Sequence, residues 1–392
     1  MAGREPAPDE GLRVLMVSAR YLPFAGGTET HVTEVATRLA AAGHAVTVLT
    51  ADPAGDLPRE ESVGGVRVLR VRSWPRRRDY HFAPGLVRHI RKGAWDIIHL
   101  QGYHTFVAPL AAAAALARGL PLVVTFHSGG HSSGLRNALR RVQHALLAPL
   151  LSRADRLIGV SQFEADSFSA RMRVPRDRFR VIPNGARLPE PSGTAVRDAG
   201  APLIVSLGRL ERYKGHHRAI AAFAALRAIG SRARLRILGE GPYAPELRRL
   251  VAAHGLGDAV EIGAIPPGQR GAMADLLASA SLVVLLSDYE AHPVAVMEAL
   301  SLGVPVVTTD TSGFRELAER GLVRAVPLDA SPDWTALVMG EALAAPPTAP
   351  VALPDWQDCA DAVLATYREI AFRSAAPGRA RSSAPAVARA AG

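Results

Sequence analysis

The stretch LVVLLSDYEAHPVAVMEALSLGVPVVTT, residues 282–309, holds one complete strand, loop, helix and strand. The short run of branched apolar residues at 282–287 reads as a buried strand. It ends at Ser287, and Glu290 falls in the loop that follows. Pro293 suits the opening of a helix, where its missing N–H would have no partner anyway, and Glu298 lies five residues further on. A second branched run, VPVVTT at 304–309, closes the unit. A strand followed by a crossover helix and another strand is the building block of a parallel α/β sheet.

The same rhythm extends in both directions. LIVSLG (203–208), LRILGEG (235–241), VEIGAI (260–265) and VRAVPL (323–328) belong to the same series. Further upstream stand VLMVS (14–18), AVTVLT (45–50), VRVLRV (66–71), DIIHL (96–100), PLVVTF (121–126) and RLIGVS (156–161). None alternates strictly between apolar and polar, as expected of strands covered by helices on both faces. Between the first two upstream runs, Val32, Val35, Ala36 and Leu39 share one stripe of a helix that ends at Gly43. The two series are separated by FRVIPNGARLPEPSGTAVRDAGAP (179–202), rich in Pro, Gly and polar residues. A chain of 392 residues exceeds what a single core usually holds. The expectation is therefore an α/β protein of two doubly wound, Rossmann-like domains facing each other across a cleft. Residues 1–11 are expected to be flexible, 12–190 to form the first domain, 191–201 the linker and 202–355 the second domain. Ligands of such sheets bind beyond the carboxyl ends of the strands, so the loops there are the ones to search.

Composition narrows the setting. The single cysteine, Cys359, has no partner within the chain, which favours a reducing, cytoplasmic compartment and a buried apolar role for the thiol. The start MAGREPAPDEG has neither the basic nor the apolar stretch of a secretion signal. The longest apolar run, 106–117, contains Pro109 and is too short to span about 30 Å of hydrocarbon. The net charge of +10 is uneven. Arg373, Arg379, Arg381 and Arg389 are unopposed in 373–392, which reads as a disordered tail. Residues 58–92 hold ten basic and three acidic side chains, including Arg76, Arg77 and Arg78. No interleaved aromatics accompany them, which argues against nucleic acid. The segment 135–153 places Arg136, Arg140 and Arg141 near Leu146, Leu147 and Leu150, either as a core-facing helix or as one lying on an anionic membrane surface.

Three loops carry the chemistry. Gly26 and Gly27 precede the first helix, with Thr28 or Thr30 available as N-cap; close backbone approach and free amides make this an anion seat. It lacks the G-x-G-x-x-G spacing of a dinucleotide site. After the strand at 203–208 come Arg209 and Lys214, a guanidinium and an ammonium suited to the two phosphates of a diphosphate. In the third loop, the helical stretch alone separates Pro293 from Glu298 by roughly 7.5 Å. Glu290 and Glu298 therefore need not meet, which argues against the paired carboxylates of a retaining glycosidase, about 5–5.5 Å apart. The spacing suits one carboxylate at a sugar, one at a ribose and helix-start amides on phosphate between them. No His or Cys cluster has metal-ligand spacing, so no metal is expected.

At this point a resemblance becomes specific. Glu290 to Glu298 followed by ALSLGVPVV resembles the E-x7-E signature of the retaining GT-B glycosyltransferases of family four, the group 1 glycosyl transferases. Gly26-Gly27, His127, Ser161, Asn184-Gly185, Arg209 and Lys214, Gly239 and Gly241, and Gly313 with Glu316 resemble family landmarks in the same order. The ending DWQDCADAVLATYREI is similar to the family's last helix, placed at 356–372, which crosses back to the first domain. The resemblance implies a UDP- or GDP-linked sugar as co-substrate, no cofactor, and a glycan, lipid or small-molecule acceptor. It assigns Arg209 and Lys214 to the diphosphate, Glu298 to the ribose, and Glu290 and His127 to the donor sugar. The amides of His292, Pro293, Val294 and Ala295 and the turn at Gly241 complete the donor site, except that Pro293 has no N–H to give. It further implies transfer on the face shared with the leaving phosphate, whose oxygen helps to take the acceptor's proton. His99 and His104 read as scaffold. The family usually has Glu-Gly-Phe where this chain has Glu290-Ala291-His292, so sugar preference does not carry over. Two alternatives share the fold: a nucleotide-sugar epimerase and an inactive nucleotide-sugar-binding module.

Overall fold

The computed structural model describes residues 11–24, 26–76, 81–128, 134–193, 198, 200–266, 268–346 and 349–375. Residues 1–10 and 376–392 lie outside them, as do Arg77, Arg78 and the side chains of Arg136, Arg140 and Arg141. The first sheet holds β1 (Arg13–Ser18), β2 (Ala45–Asp52), β3 (Glu60–Val63), β4 (Val66–Arg72), β5 (Ile97–Gln101), β6 (Leu122–Thr125), β7 (Arg156–Gly159) and β8 (Phe179–Val181). Their order is β3-β4-β2-β1-β5-β6-β7-β8, parallel except for the β3–β4 pair. The second sheet holds β9 (Leu203–Leu207), β10 (Arg234–Leu238), β11 (Val260–Gly263), β12 (Leu282–Leu285), β13 (Val306–Thr309) and β14 (Arg324–Val326), ordered β11-β10-β9-β12-β13-β14 and all parallel.

All twelve apolar runs read from the sequence are strands. Two more had no such run. In β3, EESV is an exposed edge strand with mostly polar side chains, and β8 is only FRV. Both are short and lean on a neighbour already formed, so neither needs an apolar signature of its own.

The first helix, α1 (Gly27–Ala41), buries Val32, Val35, Ala36 and Leu39 as its stripe requires. The last helix, Trp356–Ala375, packs against α1, with Trp356, Cys359, Ala360, Val363, Tyr367 and Ile370 buried in a cluster that includes Val14, Met16, Val32 and Val35. It continues three residues into the stretch expected as tail. Cys359 is a buried free thiol whose pKa burial pushes up to about 12, in keeping with an inert apolar role.

The chain passes from one half to the other at Gly185, where a Cβ would stand 2.4 Å from the Trp356 nitrogen. Only glycine lets the two crossings of the chain lie this close. Ala186 and Leu188 already pack in the core beneath the second sheet, ahead of the expected linker. Among the described residues no helix is long and apolar enough to cross a membrane. The basic segment 58–92 contributes Arg59, Arg67, Arg72, Arg88 and Lys92 to a groove of about 1130 Å³ that Asp52 and Glu60 also line.

Candidate active site

On the second half, the loop after β9 turns through a 3-10 turn at Arg212–Lys214 and enters the helix His216–Ala228. Lys214 Nζ donates to Glu290 Oε1 at 2.6 Å, and Ser287 Oγ donates to the same oxygen at 2.9 Å. Burial works against the Lys214 ammonium, but Glu290 and Tyr213 beside it raise its pKa above the ordinary value, so it stays charged. The Glu290 loop is fastened from behind: its N–H donates to Ser312 Oγ at 2.8 Å, and Gly313 N–H donates to its carbonyl at 2.8 Å. Arg209, half exposed, pairs with Glu211 at 3.0 Å. Gly241 lies against the same loop with φ 159°, and a Cβ there would stand 2.4 Å from the Leu210 carbonyl oxygen.

The helix Val294–Ser301 begins one residue later than the sequence suggested, with Pro293 as N-cap rather than first helical residue. The amides of Val294 and Ala295 in its first turn precede any carbonyl of that helix able to accept from them. His292 is half-buried, and its Nδ1 has no partner. Glu298 is 4% exposed and accepts from Arg270 Nη2 at 2.6 Å. Burial raises its pKa, with Arg270 only partly offsetting. The two glutamates thus engage different cations and do not form an acid and nucleophile pair.

On the first half, Gly26 caps α1 and no side chain does, contrary to the expectation for Thr28 or Thr30. Thr30 instead gives its N–H to Gly26 O at 2.9 Å. Glu29 turns back over this helix end, its Oε2 2.4 Å from where a Gly26 Cβ would stand. Its carboxyl, raised in pKa by burial, feels both Arg20 and Arg209, so the helix entrance faces the Arg209 loop of the other half.

His127 stands at the end of β6 with φ 47°, a backbone conformation that costs energy outside glycine. Its Nε2 lies 2.7 Å from Gln101 Oε1, and its ring meets that of His31 edge-on at 4.5 Å. His31 in turn contacts Asn184 Oδ1 through Nδ1 at 2.8 Å. The halves touch nearby, where Ser128 Oγ and the Tyr289 hydroxyl are 2.8 Å apart. His99 is scaffold, fully buried between Thr125 and Tyr367, and His104 Nε2 lies 3.2 Å from the His127 carbonyl oxygen.

Sequence reasoning missed Gln101, His31 and Arg270. Gln101 ends β5, where a search of strand ends would have found it. His31 precedes Val35 and Leu39 at helical spacing and so lay on the buried stripe. Arg270 joins Glu298 only through the fold. Among the described residues no cluster of His, Cys, Asp or Glu is arranged to hold a metal.

Burial pushes His31, His216, His217 and His292 down to about 4 and His99 to about 3, from 6.5. Unfolding lets these imidazoles take up protons that the native state refuses. The stability these neutral imidazoles contribute is therefore fully present above about pH 6.5 and is lost as pH falls toward 4. Urea midpoints measured from pH 8 to 4 should be flat and then drop; a midpoint constant to pH 4.5 would contradict this.

The chain matches two family descriptions in tandem: Glycosyltransferase Family 4 over residues 25–188 and Glycosyl transferases group 1 over residues 194–339. It is 31% identical over 341 residues to a glycogen synthase of Mycobacterium tuberculosis (strain CDC 1551 / Oshkosh), covering 79% of this chain and 81% of that one. Over 325 residues it is 27% identical to a GDP-mannose:cellobiosyl-diphosphopolyprenol alpha-mannosyltransferase of Komagataeibacter xylinus, covering 80% of this chain and 79% of the other. The sucrose-phosphate synthase of Thermosynechococcus elongatus superposes with a TM-score of 0.74 at 22% identity, covering 92% of this chain and 99% of that one. Two parallel-sheet halves, the tandem family match and the glycogen synthase similarity together make this chain a group 1 glycosyltransferase of the GT-B fold, a hexosyltransferase.

Proposed function

We propose that this enzyme transfers a hexose, with retention of anomeric configuration and without a divalent cation, from a UDP- or GDP-linked donor to a hydroxyl of a glycan, lipid or small-molecule acceptor. The observation that carries the reading is Lys214, half-buried and held charged against Glu290 in the loop after a parallel strand, with Arg209 in the same loop. Such preorganised cations stabilise charge as it develops on a leaving diphosphate. The bond from the anomeric carbon to phosphate oxygen breaks, and the bond to the acceptor oxygen forms on the same face. The departing phosphate oxygen takes the acceptor's proton. Glu290 and His127 meet the donor sugar, Glu298 the ribose, and the amides around Val294 and Ala295 the phosphates. The nucleotide sugar in the mannosyltransferase's name and the lipid-linked acceptor there favour this reading over an epimerase or an inactive module.

Calorimetry with UDP- and GDP-hexoses, followed by mass spectrometry of products from a panel of glycan, lipid-linked and small acceptors, tests it. Turnover should survive EDTA, and proton NMR of the product should show the donor's anomeric configuration. A free isomerised sugar, or no heat with any donor, overturns the assignment.

A further inference from the structure

His127 contacts Gln101 Oε1 through Nε2 at 2.7 Å. An amide oxygen only accepts, so Nε2 carries the proton and Nδ1 the lone pair. The amide is held this way round by its other end. Gln101 Nε2 lies 3.2 Å from His99 Nδ1, which also stands 2.5 Å from the Tyr367 hydroxyl, while His99 Nε2 meets Thr125 Oγ1 at 2.8 Å. The Tyr367 O–H, the closer and more acidic donor, gives to the one lone pair of His99 Nδ1, the Gln101 amide approaches the same nitrogen as a longer second donor, and His99 Nε2–H gives to Thr125 Oγ1. Turning the amide over would bring its oxygen to His99 Nδ1 and require a proton there. The Tyr367 hydroxyl would then lose its acceptor in a fully buried site, leaving the weaker donor, the Thr125 hydroxyl, to give to His99 in its place; a phenol is the stronger donor and an alcohol the better acceptor, so the first arrangement is favoured.

We propose that Tyr367, on the returning C-terminal helix, sets the tautomer of His127 through His99 and Gln101, so that the cleft imidazole offers a hydrogen-bond acceptor at Nδ1. Its ligand is a hydroxyl of the donor sugar, which rests on the donor assignment of His127 above. Burial keeps both imidazoles neutral, as an acceptor role needs. Gln101 and Tyr367 are positioning residues. They connect a helix from the end of the chain to a side chain in the cleft.

The test is two-bond proton–nitrogen NMR of ¹⁵N-histidine protein, wild type against Tyr367→Phe and Gln101→Leu, alongside turnover. The wild type should show Nε2–H at His127. Tyr367→Phe removes one hydroxyl and should give a mixture of tautomers, with kcat lower by roughly tenfold, the effect of one misaligned hydrogen bond in the transition state. Gln101→Leu should also release the tautomer. Nδ1–H in the wild type, or an unchanged tautomer in both variants, overturns the relay. A released tautomer with wild-type kcat leaves the relay standing and instead removes His127 from the donor sugar. Failure of the wild type to bind any nucleotide sugar strikes the functional reading alone.

Discussion

Lys214→Ala should lower kcat/KM by about 10²–10³-fold, the usual effect of removing one preorganised group that stabilises developing negative charge. The structure adds a second expectation. Lys214 is the cation that partners Glu290, whose side chain is only 11% exposed. Removing it leaves a buried carboxylate with the Ser287 hydroxyl as its remaining side-chain donor. Breaking one side of such a pair costs about 3–5 kcal/mol, so the melting temperature should fall as well. The two effects can be separated. Lys214→Met with Glu290→Gln removes both charges, which should restore most of the melting temperature while turnover stays low. If the double variant regained turnover, the lysine would serve only to neutralise Glu290, and the diphosphate role would fall.

Glu298→Gln should weaken nucleotide binding by roughly 10–100-fold, the value of a hydrogen bond to a charged group, without loss of stability. The reason for the second part is electrostatic. Burial lifts the Glu298 pKa above 4.5 even with Arg270 alongside, so holding the carboxylate ionised in the native state is a net cost. That cost is absent below the ordinary value of 4.5 and present in full once pH has passed the raised native pKa. The glutamine variant should therefore melt at or above the wild-type temperature at pH 7 to 8, with the difference closing as pH falls below 4.5. Arg270 retains an acceptor in the amide oxygen and is itself partly solvated. A large drop in melting temperature with unchanged nucleotide affinity would make Glu298 a fold element instead.

Much of this molecule was legible beforehand because parallel strands buried on both faces need unbroken apolar runs. Each of the twelve long enough to matter announced itself. The strand ends then pointed to Arg209, Lys214, Glu290 and His127. What escaped notice has a common cause. β3 and β8 are stabilised by pairing rather than by their own side chains, and Thr28 and Thr30 yielded the cap of α1 to a glycine with no capping atom. Pro293 sits just ahead of its helix rather than in it.

Local chemistry along the chain determined the architecture of two α/β sheets, the strand-end loops and the identity of the charged groups in them, because periodicity, turn residues and strand termini are short-range properties. Tertiary structure alone decided the partners: Lys214 with Glu290 across 76 residues, Arg270 with Glu298, His31 with Asn184 across 153 and His99 with Tyr367 across 268. Hydrogen bonding and desolvation depend on distance in space, and no pattern along a sequence encodes which of several buried polar groups will lie within 3 Å of another.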